Sequence, residues 1–129
     1  DGDIFATDTG GGRIFRVPSA DAEVDDSAEV WLESPTGVDT FAPNGIDRVG
    51  DKLIIASNGA LLFVAPDSNS PAAELQAITL SENGAPATLC GPDGLQTVPG
   101  SDDEIVVVEN GFCTPARERV VKVTLTDLD

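Results

Sequence analysis

Two stretches of this chain carry side chains that could do chemistry. "FAPNGIDRVGDKLIIASNG" runs from Phe41 to Gly59, and "CGPDGLQTVPGSDDEIVVVENG" from Cys90 to Gly111. Each opens on Pro, Asn or Asp, and Gly, followed by a branched apolar residue, and each closes on Asn-Gly. Asn44 in the first stretch is matched by Asp93 in the second. An amide carbonyl and a carboxylate at matched positions are oxygen donors of the kind a hard cation such as Ca²⁺ collects, about six to eight at a time. The competing reading is structural. Asn and Asp tolerate left-handed backbone and Pro presets the first position, so Pro-Asn-Gly and Pro-Asp-Gly are also ordinary turn sequences.

The other candidates are weaker. Asn58 and Asn110 follow the apolar runs and could stand behind a metal site, although Asn-Gly after a strand is usually a hairpin turn. Glu109 ends its run next to Asn110 and is a candidate acid standing behind the metal ligands. Asp8 opens the turn "DTGGG". "GGGR" is no phosphate loop, because it lacks a following helix and the Lys-Ser/Thr pair. Trp31 reads as packing, and Arg117 and Arg119 as surface partners of local acids. Histidine is absent, which removes His-dependent triads, His general bases and His metal ligands together.

Of the two cysteines, Cys90 and Cys113, neither has a CxxC partner, which argues against zinc. They bracket the second stretch and could meet as a disulfide, which suits an exported protein, secreted or periplasmic rather than cytoplasmic. The alternative is a pair of buried thiols acting as small apolar groups. A nucleophilic thiol would depend on a basic neighbour such as Arg117.

The 129 residues suffice for about one domain. No apolar run approaches the roughly 18 residues of a membrane-spanning helix. The chain has 23 acidic against seven basic residues and a net charge of −16. Such a surface repels phosphate backbones, so nucleic acid and anionic membranes are poor partners. It suits divalent cations, and equally a high-salt environment that screens self-repulsion. The sequence opens on Asp1 and contains no Met, which is expected of a processed, trimmed or excised chain.

The elements that must position Asn44 and Asp93 are short strands separated by Gly, Pro, Asn and Asp. Strand signals fall at 3–8, 12–17, 29–33, 44–49, 52–57, 61–65, 75–80, 93–98, 104–109 and 119–125, and residues 67–75 allow one helical turn. Residues 4–17 match 53–64 and 105–123, a period of about 50 residues with about four strands each. That pattern predicts an all-β fold built from β-propeller blades of four antiparallel strands. The units are a partial blade at 1–34, a complete blade at 41–82 and a partial blade at 90–129. Three blades do not close a ring, so remaining blades of a longer chain, or self-association, are expected to complete it.

The same stretches, together with "GDIFATDTGGGRIFRV", resemble the six-bladed propellers of the SMP-30/gluconolactonase/luciferin-regenerating superfamily, as about half of a member. The hairpin at the start is also similar to those of NHL and strictosidine-synthase-like propellers. The resemblance implies one divalent metal at the channel mouth, Ca²⁺ or else Mg²⁺, Zn²⁺ or Mn²⁺, with Asn44 and Asp93 among its ligands. It implies a small-molecule lactone or ester as substrate. The metal would polarise the carbonyl while Asp93 orients or deprotonates water. The superfamily's acidic ligand and its second Asn have no match here, so the chain would carry a half-site. Two alternatives stand beside this one: a non-catalytic propeller module that binds a partner across the channel face, and a lyase or synthase scaffold of the strictosidine-synthase-like kind.

Overall fold

Branched and aromatic residues in runs of five to seven, punctuated by turn residues, fold into antiparallel strands throughout. The structure, a computed structural model, describes residues 2–19, 28–34, 41–126 and 128. The acidic stretch 20–27, the segment 35–40 and positions 1, 127 and 129 of the expected blades lie outside the described residues.

The first sheet contains β1 (Ile4–Asp8), β2 (Arg13–Val17) and β3 (Glu29–Glu33), in that order. The second is β4 (Pro43–Val49), β5 (Lys52–Ser57), β6 (Ala60–Val64) and the short β7 (Gln76–Ala77), reached through the single helical turn α1 (Pro71–Glu74). A small hairpin, β8 (Ser81–Glu82) and β9 (Ala85–Pro86), follows. The third sheet is β10 (Pro92–Thr97), β11 (Glu104–Asn110) and β12 (Glu118–Thr124). The fold is therefore all-β, built of antiparallel sheets, and none of them closes on itself among the described residues.

The internal repeat is visible in the pairing. Ile4 faces Val17, Leu53 faces Val64 and Ile105 faces Val123, so the three hairpins share one register. The tight turn of the middle hairpin follows from its sequence. Asn58 (φ 43°) and Gly59 (φ 85°) both take the left-handed backbone of a two-residue hairpin turn. Asn83 (φ 53°) and Gly84 (φ 79°) do the same between β8 and β9. That hairpin cuts short the strand expected at 75–80. Only Gln76 and Ala77 pair fully with β6, and at Leu80 the carbonyl instead accepts a bond from the Ala87 amide at 2.9 Å.

Because side chains alternate across a strand, the middle sheet has two apolar faces, and each builds a core. Ile54, Ala56, Leu61 and Phe63 pack toward the third sheet's Ile105 and Val107. Leu53, Ile55 and Val64 pack toward the first sheet's Ile14 and Leu32. Trp31 lies in this second core, its ring edge against Phe5 with centroids 4.9 Å apart. Such a pair adds about 1 kcal/mol beyond area burial.

Candidate functional site

Asn44 and Asp93 do not sit in left-handed turns. Neither they nor Gly45 and Gly94 have positive φ, and both segments open strands, β4 and β10. Pro43 and Pro92 stand at the first strand position, where a missing N–H does least harm. Between Pro43↔Ser57 and Ile46↔Ile55 the register of β4 slips, and between Pro92↔Glu109 and Leu95↔Val107 the register of β10 slips in the same way. In both copies the first strand of the sheet, β4 or β10, carries one residue more than its partner at this step. This is a β-bulge, a device that re-aims a side chain out of the pleat. Asn44 and Asp93 are bulge residues, each one past its Pro.

The two bulges lie against each other. A Cβ built on Gly45 would overlap the Asp93 carbonyl oxygen and stand 2.7 Å from the Leu95 amide nitrogen. Only glycine permits this approach. The first sheet fixes the other side of β4: the Thr7 hydroxyl donates to the Asn44 carbonyl at 2.6 Å, and the Thr9 hydroxyl donates to the Pro43 carbonyl at 2.8 Å. Those bonds use backbone oxygen only, and among the described residues no hydrogen bond holds the Asn44 amide side chain.

Both Asn58 and Asn110 lie at this end of their sheets, directly after the residues paired with Pro43 and Pro92, but among the described residues only Asn110 reaches its neighbour by a side-chain hydrogen bond. Asn110 belongs to β11, and its side-chain amide donates to Asp93 Oδ2 at 3.5 Å, a long contact. Its own Oδ1 is buried without a partner among the described residues. Asn58, its counterpart in the repeat, is an exposed turn residue whose backbone conformation explains its identity.

Glu109 points away from Asn110, onto the side of β11 that also buries Ile105 and Val107. It is 1% exposed. Its Oε1 accepts the Cys90 amide at 2.5 Å and lies 3.5 Å from Arg117 Nη2, while Oε2 is bonded to Arg119 Nε. Arg119 also reaches Glu82 at 3.0 Å. Burial pushes the Glu109 carboxyl up. The bonds from Arg119 and the Cys90 amide, with the charges of Arg119 and Arg117, more than offset this and hold it below the ordinary glutamate range.

Its counterpart in the middle sheet is Ser57, also buried, whose hydroxyl accepts the Ala42 amide at 3.0 Å. In both repeats the residue before the Asn-Gly thus tethers the approach to the sheet's first strand, β4 or β10. Arg117 and Arg119 serve that tether, and Arg119 also pairs with the surface acid Glu82, as expected of it. Sequence reading missed Ser57, Thr7 and Thr9. The shared position of Ser57 and Glu109, each directly before Asn, was the available signal.

Cys90 and Cys113 form a disulfide, with Cα atoms 5.1 Å apart. It is compatible with an extracellular location. It pins the 111–117 connection, which replaces the tight turn of the middle hairpin and displays Phe112, 84% exposed. A Cβ on Gly91 would stand 2.8 Å from Phe112 Cβ and overlap Asn110 Oδ1, so Phe112 and Asn110 share one glycine floor.

Among the described residues no group of three or more His, Cys, Asp or Glu side chains is disposed to hold a metal ion. The sequence candidates at this end are Asn44, Asp93 and Asn110, fewer than the about six to eight oxygens that Ca²⁺ takes. The larger clefts lie elsewhere. One of about 390 Å³ is lined by Asp3, Arg16, Asp47 and Arg48, and one of about 790 Å³ by Phe63, Leu80, Arg119 and Val121. No described helix is long and apolar enough to cross a membrane. Compared with known proteins, the chain matches no protein-family profile and no curated sequence.

Proposed function

We propose that this chain is part of a six-bladed β-propeller of the SMP-30/gluconolactonase-like group and contributes a half-site to a divalent-metal-dependent lactone or ester hydrolase. The observation that carries the reading is the twinned bulge. Two strands one repeat apart break register at the same step, each break falls at an oxygen-bearing residue, and the two breaks meet backbone to backbone where Gly45 approaches Asp93. A bulge repeated at this position is a re-aiming device, and two of them side by side direct Asn44 and Asp93 to common ground.

Asn44 and Asp93 would hold the cation, Ca²⁺ by its preference for neutral and charged oxygens, with Mg²⁺, Zn²⁺ or Mn²⁺ as alternatives. The bound ion would supply Lewis-acid polarisation of the substrate carbonyl. The chain's own residues do the rest. Asn44 contributes a neutral carbonyl that binds without titrating. Asp93 orients a water and accepts its proton at a carboxylate oxygen. Asn110, in a long 3.5 Å contact with Asp93 Oδ2, would steady that carboxylate. Thr7 and Thr9 lock the first bulge from behind.

Calcium titration by calorimetry, paired with a lactone-hydrolysis assay, tests the proposal. With a half-site the expected dissociation constant is weak, about millimolar. Asn44→Ala and Asp93→Asn should each abolish the heat, and Asp93→Asn should abolish turnover in any assembly that shows it. Calcium heat unchanged in both variants would remove the metal site.

A second reading, a non-catalytic propeller module that binds a partner at this same end, draws on Phe112. A disulfide-pinned loop that displays a bare aromatic ring beside Asn110 is a fitting anchor for a partner. On that reading Phe112→Ser abolishes binding and Asn44→Ala does not.

A further inference from the structure

The two halves of the Cys90–Cys113 disulfide sit in unlike surroundings. Cys90 is 0% exposed and is fixed to the third sheet on both sides of its backbone. Its amide donates to Glu109 Oε1 at 2.5 Å, its carbonyl accepts the Gly111 amide at 3.3 Å, and the Gly91 carbonyl accepts the Asn110 amide at 3.1 Å. Cys113 is partly exposed, in a connection where Phe112, Thr114, Pro115 and Ala116 are all exposed. Its amide bonds within that connection, to the Gly111 carbonyl at 2.8 Å. Among the described residues, the next hydrogen-bonded tie to the frame comes at Arg117. The Arg117 amide donates to Cys90 Sγ at 3.3 Å, and its guanidinium donates to the Thr88 carbonyl at 2.9 Å.

Thiol–disulfide exchange discriminates between two such sulfurs. A thiolate attacks the sulfur it can reach, and the bond breaks faster when the departing sulfur carries negative charge well. Access favours attack at Cys113. The polar contacts favour the same direction. Cys90 Sγ receives the Arg117 N–H, which stabilises charge arriving there. Cys113 Sγ lies 3.0 Å from the Pro115 carbonyl oxygen, whose partial negative charge opposes a thiolate at that position. The Glu109 carboxylate is the one group that opposes charge on Cys90, and Arg117 and Arg119 each pair with one of its oxygens.

We propose that Cys113 is an exchange site for small thiols of the glutathione kind, and that exchange there unlatches residues 112–116. The incoming thiolate attacks Cys113 Sγ and forms a new S–S bond with it. The Cys90–Cys113 bond breaks, and its electron pair leaves on Cys90 as a thiolate. A second small thiolate then attacks the small-thiol sulfur of the mixed disulfide, releasing the small disulfide and a Cys113 thiolate. Two small thiols are oxidised and one protein disulfide is reduced; water protonates the two protein thiolates. When the small thiol is scarce, the Cys90 thiolate, fixed in place, reverses the first step. Cys90 keeps its bonds to Glu109 and Gly111 throughout, so β10 holds its register while the segment bearing Phe112 loses its anchor. The proposal stands on the two sulfurs and their neighbours, and on none of the roles given to Asn44, Asp93 or Phe112.

The oxidised chain, incubated with excess glutathione at about pH 8, quenched with N-ethylmaleimide under denaturing conditions and mapped by peptide mass spectrometry, reads the outcome. The expected product carries glutathione on Cys113 and maleimide on Cys90, at least about tenfold over the reverse pattern. The reverse pattern, or an even split, would overturn the assignment. So would a disulfide that resists glutathione until urea melts the fold. Single variants give a second reading that does not depend on the mixed disulfide. Reduced and then treated with a chromogenic aromatic disulfide, folded Cys90→Ser should react at least about tenfold faster than folded Cys113→Ser, and urea should bring the two rates together. Equal rates in the folded chains would count against the exchange site. Chymotrypsin reads the unlatching: cleavage after Phe112 should accelerate at least about tenfold in the glutathione adduct, with no change after the buried Phe41 and Phe63. An unaltered rate at Phe112 would show that the segment stays in place without its bond.

Discussion

Gly45 meets Asp93 backbone to backbone, so closely that position 45 has no room for a Cβ. The atoms in the way are a carbonyl oxygen and an amide nitrogen of the neighbouring strand, which cannot rotate aside as a flexible side chain would. Gly45→Ala should therefore push β4 and β10 apart at their bulges and destabilise the fold by about 2 kcal/mol, the scale of overpacking a tight contact. Gly94 is the control, since a Cβ there meets nothing within 4 Å. Gly94→Ala should change stability by less than about 0.5 kcal/mol. Urea denaturation of the three proteins measures both, and equal midpoints for the two variants would mean the close approach carries no energy.

Asn58 owes its identity to backbone geometry, with φ of 43° ahead of Gly59 at 85°. Asn58→Gly should be neutral within a few tenths of a kcal/mol, because glycine accepts the same conformation. Asn58→Val should lose about 1 to 2 kcal/mol, because a branched Cβ clashes with the carbonyl in left-handed backbone. Neither should alter the calcium heat. Loss of calcium binding in Asn58→Gly, with stability unchanged, would return Asn58 to the site.

The hairpins were legible because local rules set them. Alternation, turn chemistry and the match of 4–17 with 53–64 and 105–123 agree with the observed pairing of Ile4, Leu53 and Ile105 with their valines. The sheet edge at 75–80 was not legible, because apolar content there does not reveal that Asn83-Gly84 turns the chain into a separate hairpin. At the candidate site the residue types were readable and the geometry was not. Pro-Asn-Gly spells a turn and a bulge equally well, and only the long-range approach of Gly45 to Asp93 selects the bulge. Asn58 and Asn110 are alike in sequence. The connection that follows each one, tight in the first case and disulfide-pinned in the second, puts them in different roles. Glu109 reads as a free acid until the three groups that hold it are seen together.

The Cys90–Cys113 bridge closes a stretch with a sequence separation of 23. In the chain-entropy account, removing such a cross-link costs about 3 kcal/mol through the unfolded ensemble. Cys90→Ser with Cys113→Ser should show that loss in urea denaturation. The 111–117 connection should also become the first site of protease nicking, as the approach to β10 would then be held chiefly by Glu109. Unchanged resistance to proteolysis would mean the loop is fixed without its covalent tie.

Glu109 makes stability depend on pH with a definite sign. Its folded-state carboxyl is held below the ordinary value of 4.5 although it is buried, because the bonds from Arg119 and the Cys90 amide outweigh desolvation. A carboxyl with a lowered folded value contributes stability that is fully present above its unfolded value and is lost as pH falls through the folded one. Glu109→Gln keeps the shape and the acceptor oxygen but has no charge to lose. The wild-type advantage over Glu109→Gln should be about 2 kcal/mol near neutrality, the scale of a charge-assisted bond, and should stay level down to about pH 5. It should then shrink as pH drops below 4.5. The acidic residues common to both proteins cancel in the difference, so thermal midpoints of the pair across this range isolate the one group. If desolvation dominated instead, the folded state would prefer the protonated acid and the wild-type advantage would grow on acidification. The direction of that curve separates a tether held by ion pairs from a buried acid kept neutral by its surroundings.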